Sequence, residues 1–127
     1  MLVPVTVQHQ IAANAPLVAY APARLDPRWR YERWSHGGGA VRIWFANRAG
    51  QEIVFVAAPF KGDCTAGREK TFQLAGVKVY WGHRAEEQQA WRCVNGTKLV
   101  GATSLSPERF ADVGLGRLVA SGHRLRR

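Results

Sequence analysis

The run Val77-Lys78-Val79-Tyr80-Trp81-Gly82-His83-Arg84-Ala85-Glu86-Glu87-Gln88-Gln89-Ala90-Trp91-Arg92-Cys93-Val94-Asn95-Gly96-Thr97-Lys98-Leu99-Val100-Gly101-Ala102-Thr103-Ser104 decides the fold. It holds three apolar-rich pieces, 77–81, 90–94 and 97–103, separated by the polar span His83 to Gln88 and by Asn95-Gly96. Asn-Gly between two strand-like pieces is a strong hairpin signal, because a two-residue type I′ turn needs positive φ at both centres and these residues tolerate it. Residues 77–104 are therefore expected to form a three-strand antiparallel meander. Cys93 makes the middle strand a candidate covalent anchor.

Toward the N-terminus, Ala40 to Ala46 alternates with Val41, Ile43 and Phe45 on one face. After the turn Asn47 to Gly50, the run Gln51 to Ala58 is apolar on both faces, as a central strand is, and Pro59 ends it. Arg28 to Ser35 alternates too, with Trp29, Tyr31 and Arg33 opposed to Arg30, Glu32 and Trp34, ahead of a turn at Gly37 to Gly39. Residues 60–71 read as a polar loop carrying Cys64, and Phe72 to Leu74 as a short strand. Residues 1–27 read as an edge strand over 2–12, which Pro4 suits, followed by an irregular crossing with Leu17, Val18 and Tyr20 expected in the core. Beyond Ser104, Ser106 can cap a helix with Pro107 at its first position and Glu108 at the positive end of the dipole. Phe110, Val113 and Leu118 form its apolar stripe with Ala111 and Ser121 beside it, Gly114 and Gly116 weaken its interior, and Gly122 is the expected C-cap. The expected fold is α+β: one domain, 1–127, in which a curved antiparallel meander of six or seven strands over 28–104 packs on one C-terminal helix, 106–122, ahead of a basic tail, 123–127. Ile43, Phe55, Val79 and Trp91 are the face that the helix is expected to cover.

At 127 residues the chain can bury roughly two thirds of the surface that its unfolded form exposes, enough for a core without metal. Hydrophobic residues at 46% and charged residues at 21% exclude a disordered chain. No apolar run approaches membrane-span length, and no basic segment followed by an apolar one opens the chain. Eighteen Lys and Arg against nine Asp and Glu give a formal +9, which favours anionic partners, although only His123 to Arg127 is a dense cluster. Cys64 and Cys93 are the two cysteines. An even count with one partner in a strand points to a disulfide and an oxidising compartment, the alternative being two buried thiols in a cytosolic protein. Closing that loop would stabilise the fold by about 3–4 kcal/mol through the unfolded state.

The pieces Leu25-Asp26-Pro27-Arg28-Trp29, Val41 to Gly50, Gly76-Val77-Lys78-Val79-Tyr80, Ala90-Trp91, Asn95-Gly96 and Ser106-Pro107-Glu108 leading to Leu118 and Ser121 follow one another in a familiar order. This order resembles the uncharacterised extracytoplasmic domain that follows the membrane helix in some bacterial anti-sigma factors and occurs in some lipoproteins. The likeness spans about residues 20–122 and differs in placing Asp26 between Leu25 and Pro27. It implies a bacterial sensory or interaction domain outside the cytoplasmic membrane, in the envelope or secreted, with no catalytic residues to carry over.

The residues themselves offer sharper readings. Cys64 with His83 or His36 as base and Gly37 to Gly39 as oxyanion donors would make a small cysteine hydrolase, but no local signature surrounds Cys64. His9, His36, His83 and His123 lie singly, so no metal site and no cofactor is expected. Glu86 and Glu87 read as surface charge in a hairpin loop rather than as a glycosidase pair. The most informative constellation is a sheet face on which strict alternation gathers Arg30, Trp34, Arg42, Trp44, Lys78, Tyr80, Arg92 and Lys98, interleaving cations with rings. Such a face either covers its rings with Arg stems, as an ordinary outer surface does, or stacks bases or sugars and holds phosphates. The leading expectation is a non-enzymatic extracytoplasmic binding or sensing domain for a protein or an anionic envelope component. A nucleic-acid-binding domain using the same face is the alternative. One bulge would exchange the two faces along a strand.

Overall fold

The structure, a computed structural model, describes residues 2–104 and 112–126. Its body is a curved seven-stranded antiparallel sheet in the order β2-β3-β4-β8-β7-β6-β5. The strands are β2 (Arg30–Gly37), β3 (Ala40–Ala46), β4 (Glu52–Pro59), β5 (Lys70–Leu74), β6 (Val77–Arg84), β7 (Glu87–Val94) and β8 (Thr97–Thr103). A two-stranded ladder joins β1 (Tyr20–Ala21) to β9 (His123–Arg124), and the helices are α1 (Val5–Asn14) and α2 (Asp112–Ala120).

The meander over 77–104 forms as its turn chemistry dictates. Asn95 and Gly96 sit at φ 47° and 76°, and Ala75 and Gly76 repeat the same geometry between β5 and β6 at 51° and 76°. The polar span between the first two runs narrows to the two-residue turn Ala85-Glu86, since His83 and Arg84 pair with Gln88 and Glu87 as strand. β4 is an interior strand with Ile53, Phe55 and Ala57 fully buried, and its last residue is Pro59. On the same side lie Val41, Ile43, Phe45, Leu99, Ala90, Val79 and Trp81, all buried. Gln88 is buried among them and accepts from Trp81 Nε1 at 3.3 Å.

The segment expected as an edge strand over 2–12 is instead the helix α1. Pro4 precedes its first turn, where a missing N–H costs nothing, and Val7 and Ile11 lie four residues apart on one face, with Val3 just ahead of the helix. Val3 and Ile11 are buried and Val7 packs against the core, so burial of this stripe outweighs the strand preference of the β-branched residues. The core is thus covered by two helices rather than one.

α2 packs on β5 to β8 with Leu115, Leu118 and Val119 buried. The helix start expected at Ser106, Pro107 and Glu108, together with Phe110 and Ala111, lies outside the described residues. Gly116 allows the helix its close approach, because a Cβ there would stand 2.8 Å from Leu74 Cδ1. Gly122 does not take the left-handed cap conformation expected of it; it lies against Leu99, whose Cδ1 would be 2.8 Å from an added Cβ. Ser121 receives the backbone N–H groups of Ala23 and Arg24 on its Oγ at 3.0 and 2.9 Å, tying the crossing to the end of α2.

One connection is not a hairpin. Four successive antiparallel steps separate β4 from β5, so these two strands run in the same direction. Lys70 is level with Phe55 through Trp81, Ala90 and Gly101. The chain must therefore travel sideways by about 19 Å and back along the strands by about 13 Å. Residues 60–69 do this as a diagonal strap, which can reach at most about 36 Å when extended.

Candidate functional site

The ladder registers assign every side chain to a face. Arg42 stands opposite Val56, which continues through Val100 and Trp91 to Tyr80. Trp44 continues through Val54 and Ala102 to Gln89. Lys98 lies opposite Ala58 and Cys93, Lys78 follows two residues before Tyr80, and Arg30 pairs with Ala46. All of these side chains share the side away from Ile43 and Phe55, where among the described residues neither helix packs. Six of the eight expected face residues, Arg30, Arg42, Trp44, Lys78, Tyr80 and Lys98, are thus brought to one surface.

Trp34 and Arg92 are not. A bulge between Tyr31 and Arg33 shifts β2 by one residue, so Arg33 faces Trp44 and Trp34 faces Ile43 on the helix side. There Trp34 stacks on His36 with centroids 5.5 Å apart and donates through Nε1 to Gln10 of α1. Arg92 pairs with Leu99 and also points to the helix side. Its Nε and one terminal nitrogen donate to the carbonyls of Val119 and Gly122 at 3.2 and 2.7 Å. Burial holds the Arg92 pKa below the usual guanidinium value, opposed by Tyr20. Trp91, expected under the helix, is on the other surface. The signal was present: Cys93 is two residues from Trp91 and must share its face with whatever carries Cys64.

Cys64 and Cys93 form the expected disulfide, and it staples the strap to the middle of the sheet. Trp91 Nε1 donates to the Cys64 carbonyl at 2.6 Å, and the strap leaves Trp91 only 5% exposed. Gly82 makes room for the strap, since a Cβ there would be 2.7 Å from the Gly67 carbonyl oxygen. The strap also brings cations and rings that alternation could not supply. Lys98 Nζ lies 4.9 Å from the Phe60 ring and 5.3 Å from that of Trp91, and Arg68 lies 5.9 Å from Tyr80. Burial lowers the Lys98 pKa, and the charge of Arg84 adds to it. At the far end, Arg33 lies 4.3 Å over Trp44 and donates to Glu52 and Glu32 at 2.9 and 2.6 Å. The Arg33 hydrogen bond holds Glu52 below the usual carboxylate range, whereas the hydrogen bond with Glu52 raises Glu32.

The surface therefore presents a half-buried floor of Trp44, Val54, Val56 and Val100 bordered by Arg42 and Lys98, with Lys78 and Tyr80 two strands further on, past Trp91 and Cys93. Chemically it can stack a flat ring or sugar and pair with an anion. In the disulfide Cys64 has no thiolate to act as a nucleophile, and His36 lies on the opposite face. His83 donates its backbone N–H to Glu69 and sets its ring edge-on to Trp81 at 4.5 Å. Glu87, in β7, accepts from Gln89 Nε2 at 2.8 Å. Among the described residues no helix is long and apolar enough to cross a membrane. Comparison with protein-family models, curated proteins and solved structures finds no match to this chain.

Proposed function

We propose that this chain is a non-enzymatic, extracytoplasmic binding domain whose working surface is the cation–aromatic sheet face. Its ligand would be an anionic envelope polymer or an acidic protein segment. The reading rests on one observation: Arg42, Trp44, Lys78, Tyr80 and Lys98 share a face that neither helix covers among the described residues. The disulfide supports the compartment, because such bonds persist in oxidising surroundings. Placement in a membrane-associated regulator or a lipoprotein, as the resemblance to the anti-sigma-factor domain implies, belongs to the same proposal. Nucleic acid is the second reading, favoured by rings and cations side by side, which is how single strands are held without sequence preference.

The test is a titration of the full chain with an acidic polysaccharide and, separately, with a single-stranded oligonucleotide. Wild type and an Arg42→Gln/Trp44→Ala double variant would be compared at low and high salt. Tighter binding to the polysaccharide, weakened about tenfold or more in the variant, supports the reading. Tighter binding to the oligonucleotide, with a steep salt dependence, moves the assignment to nucleic acid. Equal affinity of wild type and variant for both polymers rejects the face as the site.

A further inference from the structure

Charge along this chain is segregated, and the fold gathers the segregated part. Residues 1–25 and 113–127 carry five of the fourteen arginines and none of the nine Asp and Glu side chains. These two segments meet in space. Tyr20 pairs with Arg124 and Ala21 with His123 in the β1–β9 ladder, and the Leu125 N–H donates to the Ala19 carbonyl at 2.7 Å. Leu125 is buried against the first segment, so His123 to Leu125 are docked rather than trailing.

At this junction Arg124 donates to the Pro16 carbonyl at 2.7 Å and lies 5.8 Å from the Tyr20 ring, which fixes its guanidinium beside the turn over residues 15–18. Arg124 and Arg126 line a cleft of about 500 Å³ together with Ala12, Pro16 and Ala19. Next to Pro16 in that turn is Leu17, which, unlike Val18 and Tyr20, is not in the core as expected but 78% exposed. A single exposed leucine means little by itself. Beside the fixed guanidinium of Arg124 and the exposed Arg126, with no Asp or Glu in either segment, it becomes the apolar half of a two-part signal. Peripheral membrane attachment takes such a pair, an inserted apolar group and a basic surface facing anionic headgroups.

We propose that this terminal module is a reversible docking surface for an anionic phospholipid bilayer. Leu17 enters the interfacial layer, and Arg124 and Arg126 meet headgroup phosphates. A nucleic-acid partner fits the module less well, because Tyr20 is the one Phe, Tyr or Trp in the two segments and it is buried, leaving only the small imidazoles of His9 and His123 for a base to stack on. The module is separate from the sheet face and does not depend on that assignment.

The experiment is co-sedimentation of the full chain with vesicles of phosphatidylcholine alone and of phosphatidylcholine mixed with phosphatidylglycerol, at low and high salt. The expected result is partition onto the mixed vesicles only, lost at high salt. Arg126→Gln weakens it by about fivefold, the contribution typical of one cation near an anionic surface. Leu17→Glu weakens it by more than that, while the Arg42→Gln/Trp44→Ala variant partitions as wild type. Circular dichroism confirms that each variant is folded, and Leu17→Ser serves if the glutamate variant is not. No partition at low salt, equal partition onto both vesicle types, or a loss confined to the sheet-face variant would each overturn the proposal. So would an oligonucleotide that displaces the protein from mixed vesicles and binds Arg126→Gln more weakly.

Discussion

Arg92 shows how one side chain can belong to the core while looking like surface. Its guanidinium lies beneath the end of α2, supplies a donor to the Gly122 carbonyl and adds a second donor to the Val119 carbonyl, which also accepts the Gly122 N–H at 3.0 Å. Arg92→Ala is expected to cost about 2–4 kcal/mol, since two partly buried carbonyls lose charged donors. Urea denaturation measures this, and a loss below about 0.5 kcal/mol would mean that water replaces the guanidinium without penalty. The sequence hid this role because an apolar Trp beside a cation suggests ring inside and charge outside. Asp26 is a second local device. It accepts from the Arg28 backbone at 2.9 Å and from the Arg28 guanidinium at 3.0 and 2.7 Å, closing the turn that sends Trp29 into the core. The Arg28 hydrogen bonds lower the Asp26 pKa from 3.8 to about 2. A depressed carboxylate contributes stability above its unfolded pKa and loses it as pH falls through the folded value. Thermal melts of wild type and Asp26→Asn should differ above about pH 4 and converge near pH 2. A difference that stays constant to pH 2 would show that the ionised form carries no advantage.

At the scale of elements, the strap is the feature on which the sheet face depends. The disulfide, the Trp91 indole and the space over Gly82 fit its middle to the sheet, and the Phe60 and Glu69 N–H groups tie its ends to the Gly96 and Trp81 carbonyls. Replacing both cysteines by serine is expected to cost about 3–4 kcal/mol and to expose Trp91 to aqueous quenchers. Gly82→Ala should leave the disulfide intact and still cost about 1–3 kcal/mol, because the clashing atom is backbone rather than a flexible side-chain end. Were Gly82→Ala neutral in denaturant titrations, the strap would be a loose cover. The meander over 77–104 was legible because its turn residues admit few alternatives. The strap was legible only as a cysteine count, since its path follows from β5 lying at the far edge, a pairing between residues distant in sequence. α1 was misread for a different reason. Leu2 to Ala12 satisfies a strand alternation, and the four-residue spacing of Val3, Val7 and Ile11 competes with it until the core is known.

The whole molecule is a sheet with two unlike sides: one dry beneath α1 and α2, the other crossed only by the strap among the described residues. Six of the eight residues expected on the second side reach it. The two exceptions trace to a bulge at Glu32 and to the phase of β7, neither of which alternation encodes. The β1–β9 ladder closes this architecture by seating Leu125 against the first segment. Removal of residues 123–127 should therefore cost about 1.5–3 kcal/mol, the worth of burying one leucine. Amide exchange at Ala19 to Ala21 should quicken while the protection of β4 and β8 persists; uniform loss of protection would instead make the ladder part of the global folding unit.

Under mechanical load the disulfide takes on a different meaning. Tension applied to the two ends of the chain would travel through Cys64 and Cys93 and bypass the intervening loop, whose ends are 29 residues apart in sequence. About 100 Å of chain would then never be paid out while the bridge is intact. The segment from Cys64 to Cys93, which holds β5, β6 and nearly all of β7, would remain a closed covalent ring after α1 and the β1–β9 ladder had been pulled away, and recoil would begin from that ring.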